Sequence, residues 1–299
     1  MKQFLIITII LIFSKKNIAE QRELPWRLSG ETTLTATVDS YSQNWSRRNT
    51  GTITWICRAN NTFNKPLSER ILSETILRLA FGQTKIRNRD SNRWSSPRTT
   101  TDLIDFQSVL RYSLDGFIDP YTSTRISTQF HDTRDEVNTR YLNPACFTQS
   151  FGITKDLLST SELRWRMRMG GAFRTKIDRD TLIYERTGRN NISTGLYETS
   201  IVNDGGTELV TELRMRKSDW LTFNTKLLIY EALVRPGPKQ NNHWRYPDIS
   251  WENSLKIDLT KHVVLNYYLH VIYDREIDRA PKIRQTFSGG ISLSYSAKN

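Results

Sequence analysis

The sequence predicts an all-β protein, a single transmembrane antiparallel β-barrel of about 12 strands, and three observations carry that expectation. From about residue 28 to Tyr295, apolar and polar residues alternate at a period of two. The connections between these segments are themselves alternately short and long. Beyond the N-terminus no apolar run approaches the roughly 18 residues of a spanning helix, and the hydrophobic content is only 37% with a mean hydropathy of −0.55. Successive side chains on a strand face opposite sides. A barrel strand therefore meets lipid only at every second residue, and its mean hydropathy stays low.

Residues 163–169 show the pattern most plainly: Leu163-Arg164-Trp165-Arg166-Met167-Arg168-Met169. Leu163, Trp165, Met167 and Met169 are expected to face lipid, and the three arginines to face the lumen. An arginine on the lipid face near the bilayer midplane costs roughly 2–4 kcal/mol. Three in one strand would cost on the order of the whole stability of an ordinary domain, so the opposite register is not a close competitor.

Taken from the N-terminus, Lys2 followed by the apolar run of residues 4–13 reads as an export signal. Residues 1–19 are assigned as a signal peptide cleaved near Ala19, with an uncleaved anchor as the alternative, and residues 26–299 as the barrel domain. Strands are expected at 28–38, 50–63, 70–82, 103–115, 122–131, 144–154, 160–173, 207–217, 220–231, 248–259, 263–273 and 285–295. In the fourth, Ile104, Phe106, Leu110 and Tyr112 share one face and Asp105, Gln107, Arg111 and Ser113 the other. In the tenth, Trp251, Leu255 and Ile257 oppose Glu252, Ser254 and Lys256. Short connections at 65–68, 119–121, 155–159, 217–219 and 260–262 alternate with long ones rich in Pro, Gly, Asn and Asp. With twelve strands all short turns share one end, read as periplasmic together with both termini, and all long loops share the other. An extra strand at 192–201 would break that parity, so 174–206 is assigned to a long external loop with room for its own hairpin. Aromatics near strand ends, among them Trp26, Trp45, Phe63, Phe81, Tyr112, Phe130, Trp220, Tyr273 and Tyr295, fit interfacial girdles.

Ser42-Gln43-Asn44-Trp45 after the first strand, the Pro120-Tyr121 turn, Trp251-Glu252-Asn253 and Ile272-Tyr273-Asp274 resemble an uncharacterised family of Gram-negative outer-membrane β-barrels, the domain-of-unknown-function family 3078. The resemblance runs from about Trp26 to Tyr295. Ser46-Arg47-Arg48 stand where that family usually has glycines. The resemblance implies a barrel fold and a bacterial outer-membrane location, and no activity.

The net charge of +12 would ordinarily point to nucleic acid, but no basic block exists and many cations fall on the inward parity, so nucleic acid is not expected as a partner. The lumen-facing candidates are Arg111, Arg125, Arg164, Arg166, Arg168, Arg214, Arg216, Glu162 and Glu212. Arg58, Arg78, Glu74, Asp105, Glu252 and Asp258 share that parity. Such a set can line an anion-preferring passage or fill the lumen with cross-strand arginine–carboxylate pairs.

No catalytic residue, metal site or cofactor is expected, and the chain is not read as an enzyme. The two cysteines, Cys57 and Cys146, fall on opposite parities and are not expected to bridge. His131-Asp132 at a strand end is read as a solvated rim. His270 lies inward and His262 in a turn, which leaves no lipid-facing Ser–His–Asn set for a barrel lipase. Two functional classes stay open: a porin-like small-solute channel or transporter with a basic lumen, and a structural or adhesive surface barrel with a blocked lumen. An outer-membrane hydrolase is the third reading. Expected partners are outer-membrane lipid, the barrel-assembly machinery during biogenesis, and anionic solutes.

Overall fold

A computed structural model describes residues 24–40, 49–88, 91–132, 140–187, 190–236, 243–276 and 278–298. The signal-peptide assignment and the Ser42–Trp45 segment lie outside the described residues. The strands are β1 (Arg27–Ser40), β2 (Asn49–Pro66), β3 (Ile71–Asn88), β4 (Arg98–Tyr112), β5 (Asp119–Thr128), β6 (His131–Asp132), β7 (Arg140–Tyr141), β8 (Ala145–Ser159), β9 (Leu163–Thr187), β10 (Asn190–Ser218), β11 (Leu221–Val234), β12 (Asp248–Asp258), β13 (Val263–Tyr273) and β14 (Lys282–Lys298). Twelve of them close into a barrel in the order β1-β14-β13-β12-β11-β10-β9-β8-β5-β4-β3-β2, and β6 and β7 pair separately. Closure is antiparallel from Arg27 opposite Lys298 to Ala36 opposite Gly289. Each of the twelve alternating sequence segments is one barrel strand, in order.

The polarity of the molecule is the inverse of a soluble protein's. Asp105, Gln107, Thr35, Ser150, Thr154, Arg168 and Ser292 are all buried. Val38, Phe151, Met169, Phe173, Leu233, Phe287 and Leu293 are all exposed, Phe287 to 68%. An apolar surface that large and continuous requires an apolar solvent. Tyr121, Gly152 and Gly170 are successive register partners. A Cβ on either glycine would collide with the opposite backbone, so the two strands approach closely there, and Tyr121 is the bulk on that stretch of inner wall.

Several expectations are corrected: residues 119–121 and 155–159, read as short connections, lie within β5 and β8, and Asp132, read as part of a solvated rim, is buried. Residues 174–187 and 190–206, assigned to a long external loop with room for its own hairpin, form such a hairpin: β9 and β10 remain paired with each other from Met215–Leu163 to Asn190–Thr187. β8 accompanies β9 only to Ile177, and β11 accompanies β10 only from Gly205, so the outer ends of β9 and β10 stand clear of the wall as a ribbon. Register shifts between Ser193 and Tyr197 and between Glu198 and Ser200, with Asp180 at φ 51°, interrupt the period of two and hide these strands from a pattern reading. The β6–β7 hairpin is tied to the base of this ribbon. Arg140 pairs with Asp132 at 2.8 Å and donates to the Arg179 and Asp180 carbonyls. The Asn143 amide donates to Asp132 and Asp178.

Trp26 and Phe63 contact at the short-turn end, with ring centroids 6.0 Å apart. Phe81 contacts Trp55 and Phe130 toward the other end at 5.8 and 6.2 Å.

Candidate functional site in the barrel lumen

Strand registers set the arginine parity of β9 against one consistent face all the way round. Arg166 stands opposite Glu212, Glu212 opposite Lys226, and Lys226 opposite Glu252. Bonds from this face join strands that are not neighbours in the wall, and in a closed barrel such bonds cross the interior. They are charge-assisted and several use both arms of a guanidinium fork, the strongest class of protein hydrogen bond.

The middle of the lumen is a septum built on Asp105 of β4. Its carboxylate accepts from Arg78 of β3 (Nε, 2.9 Å) and from Arg125 of β5 (Nε, 2.6 Å). Arg78 reaches on across the lumen to Glu252 of β12 at 3.2 Å. Lys226 of β11 pairs with Glu212 at 3.1 Å and donates to Gln107 of β4 at 3.4 Å. Arg168 pairs with Glu212 at 3.4 Å and lies over the Tyr121 ring at 5.8 Å. Asp105 is 1% exposed, and a buried carboxylate is tolerable only when its charge and lone pairs are met in this way.

Toward the short turns, Arg166 pairs with Glu74 of β3 at 2.6 Å and with Asp156 of β8 at 2.7 Å. Arg111 shares Asp156 at 2.7 Å and approaches Asp119 at 3.8 Å. A cavity of about 10 Å³ lies among Glu74, Val109, Arg111, Thr154, Arg166 and Arg168, room for about one water. Toward the long connections, Arg174 pairs with Asp204 at 3.2 Å and Asp248 at 2.7 Å and lies over the Tyr230 ring at 4.2 Å. Above it all, a pocket of about 260 Å³ is bordered by Asp102, Ser127, Gln129, Cys146 and Lys176.

Among the sequence candidates, Arg111, Arg125, Arg166, Arg168 and Glu212 all enter ion pairs of the interior: Arg125 with Asp105, Arg168 with Glu212, and Arg166 and Arg111 with Asp156. Arg164, Arg214 and Arg216 stand at its short-turn end. Arg164 is 48% exposed and only approaches Asp156, at 3.9 Å. Among the described residues no carboxylate is within ion-pair distance of Arg214 or Arg216. Glu162 lies in the turn before β9 rather than on a strand, and its carbonyl accepts from the Arg216 amide at 2.7 Å. Leu163, Trp165, Met167 and Met169 occupy the opposite face of β9, where the Trp165 indole donates to Thr211 at 2.8 Å.

Sequence reasoning missed Arg174, Asp204 and Asp248, the first two because they fell in the segment read as loop. It also missed Lys226, although its strand parity was legible, whereas Gln107 was placed on the face of Asp105. Cys57 and Cys146 are both free. Ser250 Oγ lies 2.9 Å from His270 Nε2, but among the described residues no carboxylate pairs with His270 to complete a triad. Among the described residues no group of His, Cys, Asp and Glu is placed to hold a metal ion.

The family model described as "Protein of unknown function (DUF3078)" matches residues 38–133, a shorter span than the resemblance read from Trp26 to Tyr295. No curated protein matches the sequence. Among solved structures, an outer membrane channel from Pseudomonas putida F1 is similar at 10% identity and a TM-score of 0.44, covering 94% of this chain and 100% of that one. The translocator domain of the autotransporter NalP from Neisseria meningitidis matches at 8% identity and a TM-score of 0.37, over 91% and 88% of the two chains. The NanC porin matches at 9% identity and a TM-score of 0.36, over 89% and 98%.

Proposed function

We propose that this protein is a β-barrel of the bacterial outer membrane whose lumen is a narrow, closable passage for small anionic solutes. In this reading the short turns face the periplasm, the long connections face outside, and Leu163, Trp165, Met167 and Met169 meet lipid. The observation that carries it is the cross-lumen septum. Asp105, Arg78 and Glu252 tie opposite walls together at mid-height, while cations without carboxylate partners (Arg58, Arg214 and Arg216) remain on the inner face for an anion to meet. Solute passage requires the Arg78–Glu252 link to part, and a solvated link between two long side chains is the weakest part of the septum.

Planar-bilayer recording of the refolded protein tests this. The wild-type barrel should stay closed or conduct in brief, small events. Glu252→Gln should raise open probability, and reversal potentials in a salt gradient should favour chloride over potassium. A second reading, a structural or surface-adhesive barrel with a permanently blocked lumen, is favoured by the burial of Asp105 and by the Arg78–Glu252 bond that crosses the interior. Silence in both proteins would establish that reading in place of the passage.

A further inference from the structure

The short-turn mouth of the lumen departs from the charge pattern of the interior above it. At one step of the β9–β10 ladder Arg166 faces Glu212, a cation opposite an anion. At the next inward step Arg164 faces Arg214. Directly opposed like charges on one face of a sheet are destabilising. Arg216 follows Arg214 on the same face, and its register partner on β11 is Thr222, while that of Arg214 is Asn224. Neither can neutralise a guanidinium. Asp156 accepts from Arg166 and Arg111, Glu31 accepts from Lys256 and Ser292, and Glu162, in the turn beside them, offers its backbone carbonyl to the Arg216 amide. Arg164, Arg214 and Arg216 therefore present three guanidinium forks, two of them unpaired, around one point of the inner wall. Opposed residues have Cβ atoms about 5 Å apart, which lets two forks close on the oxygens of one tetrahedral anion.

We infer that this mouth is a binding site for a multivalent oxyanion, a free phosphate or pyrophosphate group entering from the short-turn side. Arginine suits this chemistry because its rigid fork matches phosphate oxygens two at a time. The side chains face the lumen, so the wall stands between them and lipid head groups, which leaves a soluble phosphate compound as the source. The inference rests on the inward placement in the proposed passage, but binding needs no conduction.

The test is thermal unfolding of the refolded full-length protein in neutral detergent, titrated with pyrophosphate and, separately, inorganic phosphate against sodium chloride at matched ionic strength. A ligand bound only by the folded state raises the midpoint with concentration. Wild type should show a saturable rise, stronger for pyrophosphate. Arg214→Asn should weaken the apparent affinity tenfold or more, and Arg98→Gln, exposed at the long-connection end of β4, should leave it unchanged. Arg216→Lys, which keeps the charge and loses the fork, gives a second reading should Arg214→Asn not refold, and it should bind more weakly than wild type. A further arm adds phosphatidylglycerol vesicles to the titration, and these should not compete. No rise beyond the chloride control, or equal affinity in wild type and both mouth variants, would overturn the site, and competition by the vesicles would overturn the soluble source. A barrel that binds but never conducts keeps the site and loses the passage. One that conducts without binding loses only the site.

Discussion

The septum and the short-turn mouth are built from the same residue type on the same inner face, and they behave as opposites. At the septum each arginine finds a carboxylate. Asp105 holds two guanidinium groups, and Arg78 goes on to Glu252. At the mouth Arg214 and Arg216 find none, and Arg164 stands opposite another arginine. Burial explains the difference. At mid-height Asp105 is almost wholly buried, so leaving its charge unmatched would carry a desolvation cost of several kcal/mol. At the mouth Arg164 is half exposed, water screens the repulsion, and cations can stay unpaired for a ligand. In the proposed reading, paired arginine closes the lumen and unpaired arginine is left to bind.

The comparison can be broken most forcefully at its buried end. Asp105→Ala leaves Arg78 and Arg125 without their shared carboxylate. It should destabilise the barrel by about 3–5 kcal/mol, read as a lower urea midpoint or loss of heat-modifiable gel migration. If stability is unchanged, the septum is not what closes the lumen. On the outer face of the same wall, Met169→Arg should cost roughly 2–4 kcal/mol in lipid and much less in detergent, measured by refolding into vesicles against micelles. An equal cost in both media would mean that this face does not meet the bilayer.

A milder change at the septum is Glu252→Gln, which keeps the shape and removes one charge. It should lower stability by about 1–3 kcal/mol, less than Asp105→Ala because Arg78 keeps its other partner. The smallest effect belongs to the mouth. Arg214→Glu replaces a like-charge pair by an opposite one facing Arg164 and should stabilise the barrel by roughly 0.2–1 kcal/mol. A loss of several kcal/mol instead would show that the mouth is as tightly bonded as the septum.

Much of this was legible residue by residue. Leu163 to Met169 carry arginines on one face and large apolar side chains on the other, and Arg166 and Arg168 enter the interior ion pairs that this alternation allows. Ile104–Asp115 and Ile249–Leu259 showed their two faces in the same way. The β9–β10 ribbon was legible only as a candidate strand at 192–201 and room for a hairpin. Its bulges interrupt the period of two, and its pairing is with itself rather than with the wall, so no alternation of lipid and lumen is imposed on it. The inward parity named both arginines and carboxylates, Arg78, Glu74, Asp105 and Glu252 among them, but Arg174, which lies just beyond the last clean alternation, was lost with the ribbon.

The chain by itself determined twelve strands, their order, the closed all-β class and which parity of each strand carries the charge, because a residue's face on a strand depends only on its position along that strand. The tertiary structure alone decided which cation meets which anion. Arg78 meets Glu252 and Arg166 meets Glu74 across the interior because closure, stagger and tilt bring distant strands to one height, a relation no local pattern encodes. For the same reason only the closed barrel separates the arginines into a matched septum and an unmatched mouth.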